Sequence, residues 1–274
     1  RLDAPWLGFA YPLALAAFPL LALAWVELLR AYGAPLGRGR AIRLWALAQA
    51  SRYLPTGLAA VASRAVLAGR EGVPPGLTIA TVVVEGALVV AWSAVAGVTL
   101  FSAGTAGPAA APVAAAGLVA LAAIPLALVA AGRPGAGPVG RLATRVTRRS
   151  EPPRARPLVV AVLVVGANMA VKGVVFILFA RALLPVHAGD AALLFGAVNV
   201  AVAAGMIGIT PAGLGVREGI LAGLLTHRFG AADAAALAIA LRVWDLAVEL
   251  PWVAAAALTR RPRRAPAATP AAPA

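Results

Sequence analysis

No cysteine occurs anywhere in the 274 residues, and lysine occurs once, at Lys172. The first absence excludes disulfides and thiol catalysis while leaving the redox compartment open. Histidine is nearly as scarce: His187 and His227 are too few and too far apart in sequence for a histidine metal cluster. Charge is thin as well, at 12% of residues, where a soluble domain of this length carries about a quarter. Acids are outnumbered, 10 against 24 basic residues, and the formal net charge of +14 rests almost wholly on arginine. The chain also lacks a Ser/His/Asp arrangement, a Walker A loop, a Rossmann glycine fingerprint and any metal-ligand spacing. No catalytic residue, metal or cofactor is therefore expected. No RNA- or DNA-binding motif accompanies the arginines, so nucleic acid is not an expected partner.

What is present is hydrophobic residue in long runs, 62% of the chain, with a mean hydropathy of +0.89. This is an all-α, polytopic membrane protein, because a chain crossing hydrocarbon must satisfy its own backbone. In such a protein a basic excess first means topology and contact with anionic lipid. Pro5–Leu29 reads as a first span, long enough for roughly 30 Å of hydrocarbon. The chain opens at Arg1 without a methionine, leaving room for residues upstream, up to a whole helix. Arg30, Arg38, Arg40 and Arg43 follow, a loop the positive-inside rule puts in the cytoplasm. Ile42–Ala68 is apolar yet broken by Gln49, Ser51, Arg52, Pro55 and Arg64, and reads as a re-entrant or interfacial helix pair bent at 53–57. Leu77–Phe101, Ala109–Ala131, Leu158–Leu184, Ala191–Ile209 and Ala232–Leu258 bring the count to about six full spans, with a second broken segment before the last.

One transmembrane domain thus covers 1–258, its halves 1–131 and 158–258 joined by an Arg-rich cytoplasmic loop, 132–157. The tail, 259–274, is basic, then Pro/Ala-rich, and expected to be disordered. The loop signs pose a conflict. If both broken segments re-enter, three spans separate the basic loop from the basic tail and place them on opposite faces. Letting Ile209–Arg228 form part of a crossing restores the rule, so the two broken segments are expected to differ in depth.

The stretch that organises the chain is Thr210-Pro211-Ala212-Gly213-Leu214-Gly215-Val216-Arg217-Glu218-Gly219. Pro211 has no N–H to donate, while Gly213 and Gly215 permit positive φ and close backbone approach. A Gly-rich turn opening a helix leaves N–H groups pointing one way, and with Arg217 in the first turn it suits a phosphate. The alternative is a plain interfacial turn between two helices. An upstream counterpart exists: Tyr53-Leu54-Pro55-Thr56-Gly57 followed by Arg64, against Thr210–Gly213 followed by Arg217. Each copy then gives a span holding ionisable groups, Glu85 in one and Arg242 with Asp245 in the other. Paired Gly/Pro-interrupted segments in two halves point to a transporter's binding site.

Charges at mid-membrane cost roughly 2.5–3.5 kcal/mol each on insertion scales, so they need partners or water. Arg242, Asp245 and Glu249 share one helical face and form either a self-neutralising cluster or one wall of a polar cavity. Asn168 and Lys172, at i and i+4, suit the facing wall. Lys172 is a lone cation unless it meets Glu85, Glu218, Asp245 or a ligand phosphate. Arg52 and Arg64 can instead snorkel to the interface. Trp6, Trp25, Trp45 and Trp252 lie near span ends, as an aromatic belt requires, and Trp92 and Trp244 sit deeper as packing residues.

Two of these strings resemble a known family. The stretch 210–219 is similar to the P-x-G-G-x-G-x-R-E signature of the lysylphosphatidylglycerol synthase transmembrane, or flippase-like, family. Arg52-Tyr53-Leu54-Pro55-Thr56-Gly57 with Arg64 and Glu85 resembles that family's K/R-Y-L-P-G…R…E region, and Arg242…Glu249 also fits. The chain departs from the pattern at Ala212, where members often have glycine or serine, and at Thr56. The resemblance implies a membrane protein linked to lipid translocation, in which this module moves aminoacylated phosphatidylglycerol between leaflets while a separate cytosolic domain makes that lipid. Archaeal relatives are tied to polyprenyl-phosphate sugar chemistry. Here the resemblance is to the membrane module alone, which is not expected to aminoacylate anything.

Three readings follow. The first is a cell-membrane transporter moving an anionic phospholipid or polyprenyl-phosphate lipid through a polar cavity. Pro211, Gly213, Gly215, Arg217, Glu218, Arg64, Lys172 and Arg242 are then the headgroup site. Glu85, Asn168, Asp245, Glu249, Tyr53, Pro55 and Gly57 balance or gate its charge. The second is a membrane-embedded enzyme acting on a polyprenyl-phosphate sugar with Glu85 as base. The third is a non-catalytic partner of an envelope-lipid enzyme. Homo-oligomerisation is compatible with all three.

Overall fold

The computed structural model describes residues 3–34, 36–54, 58–106, 153–207 and 210–259, with isolated positions between 112 and 123. Among the described residues the chain is helical and contains no strand. Helix α1, Ala4–Ala31, starts with Pro5 in its first turn, where the missing N–H would have no partner anyway. Pro12 and Pro19 lie inside it, tolerated because neighbouring helices cover the freed carbonyls. Helix α2 (Arg38–Ala50) and helix α3 (Ala59–Gly69) flank a short 3₁₀ turn, Ser51–Tyr53. Helix α4, Pro75–Ala106, completes the first half. The second half repeats the order: α5 (Ala155–Leu183), α6 (Ala191–Ile207), a 3₁₀ turn at Pro211–Gly213, α7 (Val216–Phe229) and α8 (Ala231–Leu258).

Helices α1 and α5 form an antiparallel pair in constant register. Asp3 N–H donates to Ala182 O at 3.0 Å, Asn168 Nδ2 to Ala17 O at 2.8 Å, and Arg154 N–H to Ala31 O at 2.9 Å. The last bond puts Arg30, Arg38, Arg154 and Arg156 on one basic face of the bundle. From that face α2 runs inward and α3 returns; Leu36, Ala41, Trp45, Val73 and Leu77 bury together beside Trp25. The second half builds the matching cluster at the opposite end, where Phe176, Phe179, Leu194, Leu221, Leu225 and Leu237 bury together. There Arg228 ties the end of α7 to Asp190, at the start of α6, at 2.6 Å. Helix α8 comes back to the basic face, where Arg43 Nε donates to Ala256 O at 3.0 Å.

The two halves are therefore an inverted pair: crossing helix, hairpin, crossing helix, with one hairpin entering from each face. Their tips, Ser51–Tyr53 and Pro211–Gly213, touch. Each hairpin's first arm packs on the other half, α2 on α8 and α6 on α4. The α4–α6 seam is made by glycine. A Cβ on Gly97 would lie 2.7 Å from the Val200 backbone nitrogen, and one on Gly104 2.6 Å from that of Leu193. Those glycines are seven apart and so lie on one face, the small-residue device by which membrane helices approach closely.

Among the described residues, four segments are long and apolar enough to cross a membrane: Ala4–Ala31, Pro75–Ala106, Ala155–Leu183 and Ala188–Ile207. Helix α8 is as long, 28 residues, but carries Arg242, Asp245 and Glu249. The expected span Ala191–Ile209 is found as Ala188–Ile207, one of these four segments. It is the entering arm of a hairpin whose returning arm is α7. Met206, near its end, lies beside Gly86, eleven residues or about 16 Å beyond the start of α4. The expected difference in depth is thus unnecessary. With both broken segments re-entrant and α6 one of their arms, only α5 and α8 separate the basic residues before α5 from the end of α8. The basic loop also ends sooner than 157, because Arg156 is already inside α5. Most of the span Ala109–Ala131, most of the loop 132–157 and the tail beyond 259 lie outside the described residues.

Trp25 and Trp45 are buried, at 0% and 2% exposure, and belong to the core rather than to an aromatic belt. Trp92 packs deep as expected, its indole N–H donating to Val162 O at 3.0 Å.

Candidate functional site

Between the hairpin tips lies a cavity of about 410 Å³. Its depth follows from the crossing helices that line it: Ala17 of α1, Lys172 of α5 and Asp245 of α8 each sit near the middle of their helix. Irregular backbone at such depth is tolerated only where it lines a cavity of this kind.

The Pro211 turn supplies one wall. Ala212 and Gly213 adopt φ of 52° and 68°, and Gly215 caps α7 at 81°. At Gly213 the left-handed backbone approaches α6 so closely that a Cβ would lie 2.8 Å from Gly205 O. The expectation of an open helix N-terminus needs correction, because Gly215 N–H donates to Glu218 Oε2 at 2.7 Å. The helix is capped by its own carboxylate. Neither Gly215 nor Glu218 is on the cavity wall, whereas Thr210, Ala212, Gly213 and Arg217 are. Pro211 begins the turn. Pro55 and Gly57 lie outside the described residues.

Each arginine at the cavity is tied to an acid from another element. Arg217 Nη1 donates to Asp245 Oδ2 at 2.5 Å. Arg64 Nη1 reaches Glu85 Oε2 at 2.6 Å, and Trp45 Nε1 donates to Glu85 Oε1 at 3.1 Å. Arg64 also stacks over Trp25 and Trp45. Its side chain is only 5% exposed, so it is buried rather than snorkelling. Arg52 pairs with Glu249 across the two halves; Tyr53 OH accepts from Arg52 at 2.9 Å and donates to Glu249 at 2.7 Å. Arg242 lies 3.7 Å from Glu218 and donates to Ala212 O at 3.3 Å. The α8 trio is therefore not self-neutralising: its acids go to Arg52 and Arg217, and its arginine to Glu218.

Lys172 is the exception. By accessible surface it is an exposed residue, and it lines the cavity. Among the described residues it makes neither an ion pair nor a hydrogen bond, and the partners expected for it, Glu85, Glu218 and Asp245, are all engaged elsewhere. One turn earlier, Asn168 is fully buried; its Nδ2 is held by α1 while its Oδ1 has no partner. Sequence reasoning passed over Asn199 and took Gln49 and Thr210 only as parts of the broken segments, yet all three line the cavity. Asn199 had a readable signal, a lone amide at the centre of an apolar helix. The cavity thus combines one unpaired ammonium, a ring of paired guanidinium groups and neutral amides, and it is suited to holding an anion.

No curated protein matches the chain. The family model described as the lysylphosphatidylglycerol synthase TM region matches residues 1–251, and the chain, a multi-pass membrane protein, belongs to that family.

Proposed function

We propose that this protein is a lipid transporter of the cell membrane, moving an anionic phospholipid or polyprenyl-phosphate lipid across the bilayer without changing it covalently. The observation that carries the reading is the unpaired Lys172 in a cavity at mid-depth. An ammonium there needs water or an anion beside it, and a phosphate headgroup in transit supplies one while its tails stay in lipid. Two hairpins entering from opposite faces and meeting at the cavity give it one movable boundary on each side, the arrangement alternating access requires.

The test is reconstitution. Purified protein in liposomes moves labelled phosphatidylglycerol between leaflets, Lys172→Met protein of equal folded content does not, and mass spectrometry finds the lipid's mass unchanged. Equal movement by the variant, or a changed mass, overturns the reading.

A further inference from the structure

Helices α4 and α6 meet along one face of α4, and glycines on that face show how the contact changes along its length. A Cβ on Gly104 or Gly97 would press into the backbone of Leu193 or Val200. Gly86 lies eleven residues before Gly97, about three helical turns, and therefore on the same face. A Cβ there would meet a single atom within 4 Å, Met206 Cε at 3.6 Å. Helix α6 ends one residue further on, at Ile207. The seam thus passes from backbone against backbone to the tip of one side chain.

The cavity lies directly behind that point. Val82, Gly86 and Met206 line it. Their chain neighbours Val83 and Ile207 do not, yet they are 62% and 71% exposed; at this depth an exposed side chain off the cavity wall faces lipid. Met206 does both, lining the cavity while 48% exposed. One unbranched thioether, the most easily repacked of apolar side chains, is what closes the wall here. The hairpin ends, which touch, also carry exposed apolar side chains, Leu54 and Leu58 on one and Leu214 on the other.

A lipid headgroup at Lys172 needs such a place in the wall. A cavity of about 410 Å³ has room for a headgroup but not for two acyl chains as well, and every methylene is more stable in hydrocarbon than in water. The chains must therefore leave sideways, past a surface that is apolar and can move. Resting on the transport reading above, we infer that the gap between Gly86 and the end of α6 is a lateral portal for the hydrocarbon chains of the lipid, with Met206 as its movable cover. Its ligand is aliphatic chain, and it places no condition on the charge of the headgroup.

The experiment uses the full chain in detergent with phosphatidylglycerol carrying a photoreactive group on one acyl chain, the label being mapped by mass spectrometry. Label is expected to be denser on residues 82–86 and 202–207 than on 159–163, where Leu163 is exposed and no residue lines the cavity. Excess unlabelled phosphatidylglycerol and excess polyprenyl phosphate compete separately. The stronger competitor names the source of the chain, and label that neither displaces is bulk-lipid contact and overturns the portal. Gly86→Trp plugs the gap, and Met206→Trp plugs it from the other side should the first fail to fold. Each is expected to lose the label at 202–207 and to stop lipid movement in liposomes, while Val83→Trp, on the outer surface, keeps both. Even labelling along the chain, or a folded Gly86→Trp or Met206→Trp protein that moves lipid as fast as wild type, overturns the portal and leaves transport standing. Wild type that is labelled at the portal but moves no lipid overturns transport alone.

Discussion

Arg217 donates to Asp245 at 2.5 Å, the same link between a returning hairpin arm and the helix after it that Arg64 makes to Glu85 at 2.6 Å in the inverted half. Each pair fastens one hairpin tip to its own half, and Arg52 with Glu249 joins the halves to each other. The charges that make this region costly to bury are thus what hold the two tips against the cavity.

Glu85→Gln leaves Arg64 as a buried cation without its counter-charge. Removing one partner of a buried pair costs about 3–5 kcal/mol, whereas replacing both by apolar groups is often near neutral. Thermal unfolding in detergent is expected to show a large loss for Glu85→Gln and recovery of most of it in Arg64→Leu/Glu85→Leu. A double variant no better than the single one contradicts the pairing.

Arg217→Ala is expected to stop lipid movement, because Asp245 at the cavity is then a carboxylate without its counter-charge. Arg217→Ala/Asp245→Ala removes both charges of the pair, and headgroup binding should return in part. If binding stays lost in the double variant with its fold intact, Arg217 acts by direct contact rather than by charge balance.

The Pro211 turn allows a comparison between neighbours. Ala212 holds a left-handed backbone, a strain of roughly 1–2 kcal/mol for a residue with a Cβ, so Ala212→Gly is expected to be neutral or slightly stabilising. Gly213→Ala drives a Cβ to 2.8 Å from Gly205 O, with backbone on both sides of the clash, and should lose well over about 1 kcal/mol. Reversal of that order in melting temperature would count against the turn geometry.

On the face opposite the arginines, Asp190 accepts two hydrogen bonds from Arg228 and one from the His187 backbone N–H. Burial pushes its carboxyl up, but those bonds and the Arg228 charge prevail and hold it below its ordinary value of 3.8. A depressed native pKa contributes stability that is present above the unfolded value and lost as pH falls through the native one. Melting temperature should therefore fall as pH drops below about 4, and Asp190→Asn should flatten that acid limb. An unchanged limb would show that other carboxylates set it.

Much of this was legible because hydrocarbon enforces it. Helices α1, α4, α5 and α8 could be located by apolar run length, and the hairpins by Gln49–Arg52 and Thr210–Gly215, where proline, glycine and charge interrupt the pattern. The gathering of Arg217, Asp245, Lys172 and Asn168 was expected too, since mid-membrane polar groups must meet something other than lipid. The hairpin arm at Ala191–Ile207 was not legible, because a re-entrant arm seventeen residues long is as apolar as a span. Nor was the cap on α7: Glu218 reads as a companion of Arg217 until the left-handed turn swings Gly215 N–H onto it.

By itself, the order of residues determined that the chain is a helical membrane protein with two broken segments and a set of charges that hydrocarbon would not leave unpaired. Those are consequences of one-dimensional composition against a known solvent. Which arginine meets which acid was decided only by the fold, because the partners come from different helices and their choice depends on where two hairpins of opposite sense stop. That choice uses up every acid at the cavity and leaves Lys172 alone, so the one charge open to a ligand emerged from three-dimensional subtraction.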